Sequence, residues 1–338
     1  MQILFYDIAA PYIYTDISRI QKGLGGTEST ITRIAHALAD KHDIVVAQYH
    51  RQTTEDTESN GVRYLSLNSA NQLSPDIVVL LRRREWIEPV ARLFPRARHF
   101  FWMHDTPSKK LYLYRRLFHR YAYEIIAVSD FHIQEIKKRL YGKWYQRLLK
   151  PWHFCHATPT VHRIYNPIDD HLDKDDATWH PQQMILASAP NKGLALNLKA
   201  FEQINQVFPE YELLIATYAK WNDSELPRNV RFLGSLPQHE LFKKIRESFC
   251  MFYPQYQNKE TFGLVYAETN AIGTPVLAHD FGAAREVLSD PTQLIDGRNI
   301  DSIIEKLKEW RKNRPVVRAK PEFRLSNVKQ EWIKLLEK

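Results

Sequence analysis

The chain has 338 residues, 44% of them apolar, and a net charge of +8, enough for two domains of ordinary size that each bury a core. Its two cysteines, Cys155 and Cys250, exclude a disulfide framework and a complete structural zinc site, so two reduced thiols in a reducing compartment are expected. The stretch Met1–Asp7 has neither a basic leader nor an apolar segment long enough for secretion, and no run of about eighteen apolar residues occurs, so the expected location is cytoplasmic.

In chain order, Gln2–Tyr6, Ile44–Gln48, Val62–Ser66, Ile77–Leu81, His99–Met103, Ile125–Val128 and Val161–Tyr165 read as short buried strands. Ile31, Ile34, Ala35 and Leu38 supply the stripe of a helix that starts near Thr27. A second series follows, with strands at Met184–Ser188, Glu212–Ala216, Val230–Phe232, Phe249–Tyr253 and Pro275–Ala278, and helices near 194–207, 239–247, 264–272 and 299–313. This alternation predicts an α/β protein with two Rossmann-like halves. The domains are expected over 1–168 and 169–322, with the junction between about 166 and 181. A terminal helix over 323–338, striped by Val328, Trp332, Leu335 and Leu336, is expected either to cross back onto the N-terminal domain or to cover the C-terminal one.

The positive charge is concentrated between Arg82 and Lys150, where seventeen Lys and Arg face six Asp and Glu. Aromatics are interleaved, as in Lys109–Arg120 and Tyr141–Arg147. Such a surface suits anionic lipid headgroups or nucleic acid, and equally a solvated helix face whose aromatics belong to the core. No nucleic-acid recognition motif accompanies it, which disfavours nucleic acid as a partner.

Several loops carry residue types suited to a phosphorylated ligand. Gly23-Leu24-Gly25-Gly26-Thr27-Glu28 joins the first strand to the first helix, where glycines permit close backbone approach; a plain flexible loop capped by Thr27 is the alternative. It lacks the Gly-x-Gly-x-x-Gly spacing and no acidic residue ends the second strand, which counts against a nicotinamide enzyme. His104-Asp105 ends a strand at the carboxyl edge of the first sheet, with Asp105 either orienting His104 or capping a following helix. Lys192-Gly193 follows the first strand of the second half. The most informative run is Lys259–Glu268, where a helix opening near Gly263 offers free amides to an anion, Glu260 stands before that helix and Glu268 inside it. Carboxylates so placed accept hydrogen bonds from sugar hydroxyls; two solvated carboxylates flanking a short helix are the plain alternative.

The run 259–278 closely resembles the Glu-x7-Glu signature of retaining glycosyltransferase family 4, whose members have the two-domain GT-B fold with parallel sheets facing across a cleft. The resemblance implies that Glu268 holds the donor ribose, Glu260 contacts the donor sugar, and Thr261, Phe262, Gly263, Leu264 and Val265 surround the phosphates. By the same resemblance Gly25 and Gly26 face the donor diphosphate, His104 lies close to the transferred sugar, Lys192 clamps the phosphates, and Asn166-Pro167-Ile168-Asp169 corresponds to the turn before the second domain. Many members carry an Arg five residues before that Lys; here Ala187 stands there, with Arg231 or another base as a substitute. The resemblance implies a metal-independent hexosyltransferase that needs no cofactor. It would move a sugar from a nucleoside diphosphate sugar, UDP- or GDP-linked, to a hydroxyl of a glycan or lipid-linked acceptor, with peripheral contact to an anionic membrane surface through Lys109–Arg120 and Lys137–Lys150. Two alternatives stand beside it: a nucleotide-sugar-binding protein without turnover, and a basic nucleic-acid-binding protein.

Overall fold

The computed structural model describes residues 1–21, 23–142, 157–217 and 227–338; Cys155 and residues 143–150 of the basic stretch lie outside them. The chain forms two compact units, one of 1–17, 25–167 and 325–338, the other of 18–24 and 168–324.

In the first unit, strands β1 Gln2–Asp7, β2 Asp43–Gln48, β3 Thr57–Ser59, β4 Val62–Ser66, β5 Ile77–Leu81, β6 Arg98–Trp102, β7 Glu124–Ala127 and β8 Val161–Arg163 form one sheet in the order β3-β4-β2-β1-β5-β6-β7-β8. Every pair is parallel except β3 with β4. The runs ILFY in β1 and IVVLL in β5 are buried throughout, as parallel strands covered on both faces require. The sequence reading contains no β3. Asn60 and Gly61, both with positive φ, build the two-residue turn that folds it against β4, and its short polar sequence carries no apolar alternation.

The helix Gly26–Leu38 buries Ile31, Ile34, Ala35 and Leu38. Against it packs the helix Leu325–Leu336. Its Trp332 is fully buried, with its ring 4.8 Å from Trp102 and 5.8 Å from Phe5, and Lys329 Nζ donates to Asp40 Oδ2 at 2.6 Å. The C-terminal helix thus belongs to the first unit, although the chain enters it directly from the second.

The second unit holds β9 His180–Ala187, β10 Glu212–Ala216, β11 Val230–Gly234, β12 Ser248–Tyr253, β13 Val276–His279 and β14 Leu294–Ile295, in the order β11-β10-β9-β12-β13-β14 and all parallel. Cys250, in the middle of fully buried β12, has its thiol pushed up to about 12 by burial and is chemically quiet. Each sheet reverses its strand order once, between β1 and β5 in the first unit and between β9 and β12 in the second. Crevices at the carboxyl ends of such strand pairs are where open α/β sheets hold ligands.

The basic stretch Lys109–Arg120 divides by residue type. Leu111, Tyr112 and Phe118 are buried, whereas Lys109, Lys110, Arg116 and Arg120 are exposed. Those rings therefore serve the core, and the bases face solvent except Arg115, which is buried.

Candidate active site

At the strand-order reversal of the second unit, the loops after β9 and β12 lie side by side. Gln255 organises the second loop: its backbone N–H donates to Asn197 Oδ1 at 3.0 Å, and its Oε1 accepts from the amides of Gln257 and Asn258 at 3.0 and 2.9 Å. The backbone of Glu260 is fixed by Ala283, whose N–H donates to Glu260 O at 3.0 Å. A Cβ on the neighbouring Gly282 would come within 2.8 Å of that carbonyl oxygen.

The Glu260 carboxylate accepts from Lys192 Nζ at 3.0 Å and 2.9 Å, one contact to each oxygen, and from the Tyr253 hydroxyl at 3.1 Å. Tyr253 is also 3.0 Å from Ser188 Oγ. Burial first, and then the neighbouring Glu260 charge, raise the Tyr253 phenol above its ordinary range, so it stays protonated as a donor. Two residues assigned separately by resemblance, Lys192 and Glu260, thus form one ion pair.

Lys192 reaches this position because Gly193, at φ +85°, turns the chain into the helix Leu194–Val207. A Cβ there would meet the Gln255 side chain at 2.7 Å. The ammonium remains about half exposed and can exchange Glu260 for an anion.

The helix Leu264–Ala271 opens on Gly263 at φ +84°, where a Cβ would meet the Tyr266 ring at 2.6 Å; no side chain caps this terminus. Amides of the first turn, from Leu264 and Val265, are the groups such a terminus presents to an anion. Glu268 lies one turn inside the helix and accepts from Gln238 Nε2 at 3.2 Å. Both carboxylates are buried, Glu260 at 8% and Glu268 at 7% exposure, which removes the alternative of two solvated side chains. Phe262 is turned inward with its ring 5.1 Å from Phe323, so only its backbone faces the loop.

The substitute for the absent Arg at 187 is not Arg231. That residue lies near the amino end of β11, away from the carboxyl edge, with Nη1 3.2 Å from Glu212 Oε1.

The reversal point of the first unit carries a second buried polar cluster. Asp7 closes β1 and is fully buried: its Oδ1 accepts from the amides of Ala9 and Ala10 at 3.0 and 3.1 Å, and its Oδ2 from the Tyr14 hydroxyl at 2.7 Å. Arg82, just past β5, adopts the left-handed conformation at φ +60°, uncommon for a side chain of its size. This turns its guanidinium back over the sheet edge, with Nη2 2.9 Å from Glu28 Oε1 and 3.7 Å from Asp7 Oδ1. Glu28 lies in the first turn of Gly26–Leu38, and a Cβ on Gly25 would come within 2.3 Å of its Oε2. Gly25 and Gly26 are therefore held as an exposed, uncapped helix start by a buried ion pair, and Thr27 does not cap it.

His104 is buried beyond β6, its ring 4.5 Å from that of Trp102. Burial, then the charges of Arg82 and His132, hold its pKa well below the ordinary histidine value, so it is neutral at pH 7. Asp105 does not orient it: the Asp105 side chain is exposed and its carbonyl pairs with His132 Nε2 at 3.1 Å. Nor does Asp105 cap a helix, since the next helical turn is the 3-10 segment Leu111–Tyr114.

Sequence reasoning misses Asp7, Arg82, Tyr253 and Gln238. For Arg82 the available signal is a charged residue directly after the fully apolar run Ile77–Leu81, at the carboxyl end of a strand. Counting it with the basic stretch that follows hides this.

Residues 184–325 match the family described as glycosyl transferases group 1. A GDP-mannose-dependent monoacylated alpha-(1-6)-phosphatidylinositol monomannoside mannosyltransferase of Corynebacterium glutamicum is 28% identical over 132 residues, 36% of this chain and 35% of that protein. A phosphatidyl-myo-inositol mannosyltransferase of Mycobacterium tuberculosis is 34% identical over 106 residues, 30% of this chain and 28% of that protein. The chain thus aligns with about a third of the length of these relatives. Among solved structures, an alpha,alpha-trehalose-phosphate synthase (UDP-forming) of Burkholderia xenovorans superposes with a TM-score of 0.64 over 99% of this chain and 96% of that one, at 12% identity. That likeness speaks for the fold, which is GT-B. The second unit thus carries a region that matches glycosyl transferases group 1, and the chain has the GT-B fold.

Proposed function

We propose that the protein is a retaining glycosyltransferase that moves a hexose from a UDP- or GDP-linked sugar to a hydroxyl of a glycan or lipid-linked acceptor, without a metal bridging the diphosphate. The observation that carries this reading is the Lys192–Glu260–Tyr253 cluster beside the uncapped helix Leu264–Ala271, with Glu268 buried inside that helix.

In this reading the diphosphate lies on the amides of Leu264 and Val265, where the helix terminus favours negative charge. Lys192 leaves Glu260 for the phosphates as the leaving group gains charge, and Glu260 is released to the donor sugar hydroxyls. Glu268 accepts from the ribose hydroxyls. The acceptor oxygen bonds to the anomeric carbon on the face from which the diphosphate departs: the C–O bond to the diphosphate breaks, and the acceptor proton passes to the departing phosphate oxygen. His104, neutral at physiological pH, serves as a hydrogen-bonding group to sugar and not as a cation. The exposed Lys109, Lys110, Arg116 and Arg120 supply peripheral attraction to an anionic membrane carrying the acceptor. The two mannosyltransferase relatives, named for phosphatidylinositol acceptors, support GDP-mannose and a lipid-linked acceptor as the first pair to try.

The test is nucleoside diphosphate release from UDP-, GDP- and ADP-sugars, GDP-mannose among them, with and without EDTA, by wild-type protein, Glu260→Ala and Glu268→Ala. Release abolished in both variants supports the reading, and release insensitive to both overturns it. Ala187, where many family members carry Arg, favours a second reading, a donor-binding protein without transfer. Diphosphate binding that needs Glu268, with no turnover of any donor, would select it.

A further inference from the structure

Beyond the candidate active site, the second unit contains a cleft of about 780 Å³ at the β13–β14 end of its sheet. The chain is built to form it. Gly297, in the turn after β14, lies so close to the loop after β12 that a Cβ would be 1.8 Å from Pro254 O. Only glycine permits that approach, which seats the next residue, Arg298, with its guanidinium 5.8 Å from the centre of the Tyr256 ring. His279 ties the same turn down from β13: its Nδ1 accepts from the Gly297 amide at 3.0 Å, and its ring meets Tyr256 edge-on at 6.1 Å and Phe281 at 4.8 Å.

The lining combines these rings with cations from three different elements: Lys259 after β12, Arg298 after β14, and Lys306 on the helix Ile300–Lys312. The carboxylates present are largely committed. Asp280 pairs with Arg285, and Asp296 accepts from the Arg298 amide at 3.1 Å. Lys306 shares its ammonium with Glu309 at 2.8 Å. An open apolar ring surface with convergent cations matches a sugar ring that bears an anionic group, since the ring's C–H face stacks on aromatics and a guanidinium binds phosphate or carboxylate in two contacts.

We propose that this cleft is a second saccharide site, separate from the nucleotide-sugar site, that takes an anionic sugar: one carrying a phosphate or a uronic carboxylate. Arg298 and Tyr256 are its principal contacts. The inference does not depend on the donor chemistry, because none of these side chains belongs to the Lys192–Glu260–Glu268 set.

Saturation-transfer NMR and calorimetric titration of the full chain with mannose 6-phosphate, glucuronate, mannose and inorganic phosphate test it. Saturable binding of mannose 6-phosphate or glucuronate, with saturation of the sugar ring protons, is expected. Arg298→Ala and Tyr256→Ala, both at positions not fully buried, should weaken it at least tenfold while leaving thermal unfolding unchanged. Glu268→Ala should leave it intact, which separates failure here from failure of the donor reading. Comparing the phosphate-bearing with the carboxylate-bearing sugar identifies the anion. Inorganic phosphate binding as well as either sugar, mannose binding as well as its phosphate, binding indifferent to both variants, or no binding by any probe overturns the proposal.

Discussion

At Glu260, two donors of unequal charge, the Lys192 ammonium and the Tyr253 hydroxyl, converge on one carboxylate and predict unequal effects. Tyr253→Phe removes one hydrogen bond to the Glu260 carboxylate and is expected to cost roughly 1.5 kcal/mol, about tenfold in donor turnover. Glu260→Ala also leaves the Lys192 ammonium without its partner and removes the proposed sugar contact, so a loss of roughly 100-fold or more in kcat is expected, on the scale of a group stabilising developing charge. Nucleoside diphosphate release from the best donor measures both. Histidines supply a further test at this scale. Burial, followed by the charges of Arg82 and His132, lowers His104, while burial alone brings His99 to about 4; burial also takes His132 to about 4, opposed by its bond to the Asp105 carbonyl. Below the ordinary pKa of about 6.5 the unfolded chain takes up protons that the folded chain refuses. Stability is therefore expected to fall as pH drops from about 6.5 towards 4, by about 1.4 kcal/mol per pH unit for each such histidine. Urea unfolding at pH 7 and pH 5 measures the slope, and His132→Gln should make it shallower by one proton.

Among the elements, the two uncapped helix starts depend on glycine for different reasons, a left-handed backbone with a close ring at Gly263 and a close carboxylate at Gly25. Gly263→Ala would force a Cβ into the Tyr266 ring at a φ of +84°, so donor binding is expected to be lost even if the fold survives. At Gly25 the obstacle is the tip of Glu28, a side chain held in place by Arg82. Gly25→Ala is therefore expected to break the Glu28–Arg82 pair. Arg82→Ala exposes the same dependence from the other side: it leaves the buried Glu28 carboxylate uncompensated, with an expected loss of about 3–5 kcal/mol in chemical denaturation. If Arg82→Ala keeps wild-type stability, the pair does not support this helix start. These glycines are legible in the sequence as glycines in the right loops. Arg82 is not, because its importance comes from a left-handed turn beside which its guanidinium meets Asp7 at the end of the neighbouring strand and Glu28 on the helix.

For the whole molecule, the C-terminal helix ties chain order to the folding units. Trp332 is fully buried against Trp102 and Phe5, and Trp332→Ala is expected to destabilise the first unit by about 3–5 kcal/mol, read as loss of its unfolding transition with that of the second unit retained. The same helix marks the limit of what its own residues disclose. Its stripe of Val328, Trp332, Leu335 and Leu336 requires an apolar surface to cover but does not say whose, since any complementary face satisfies the hydrophobic effect equally well. Apolar runs in the chain dictate the parallel α/β architecture, because strands buried on both faces must be apolar throughout, whereas the glycine-bearing loops and the Glu260–Glu268 pair stand out in the sequence through their resemblance to a family signature. Tertiary packing decides that Lys192 pairs with Glu260, that Arg82 reaches Asp7, and that Arg298 rests on Tyr256. Each of those contacts joins strand ends distant in sequence, and strand order, which no local pattern encodes, chooses which ends become neighbours.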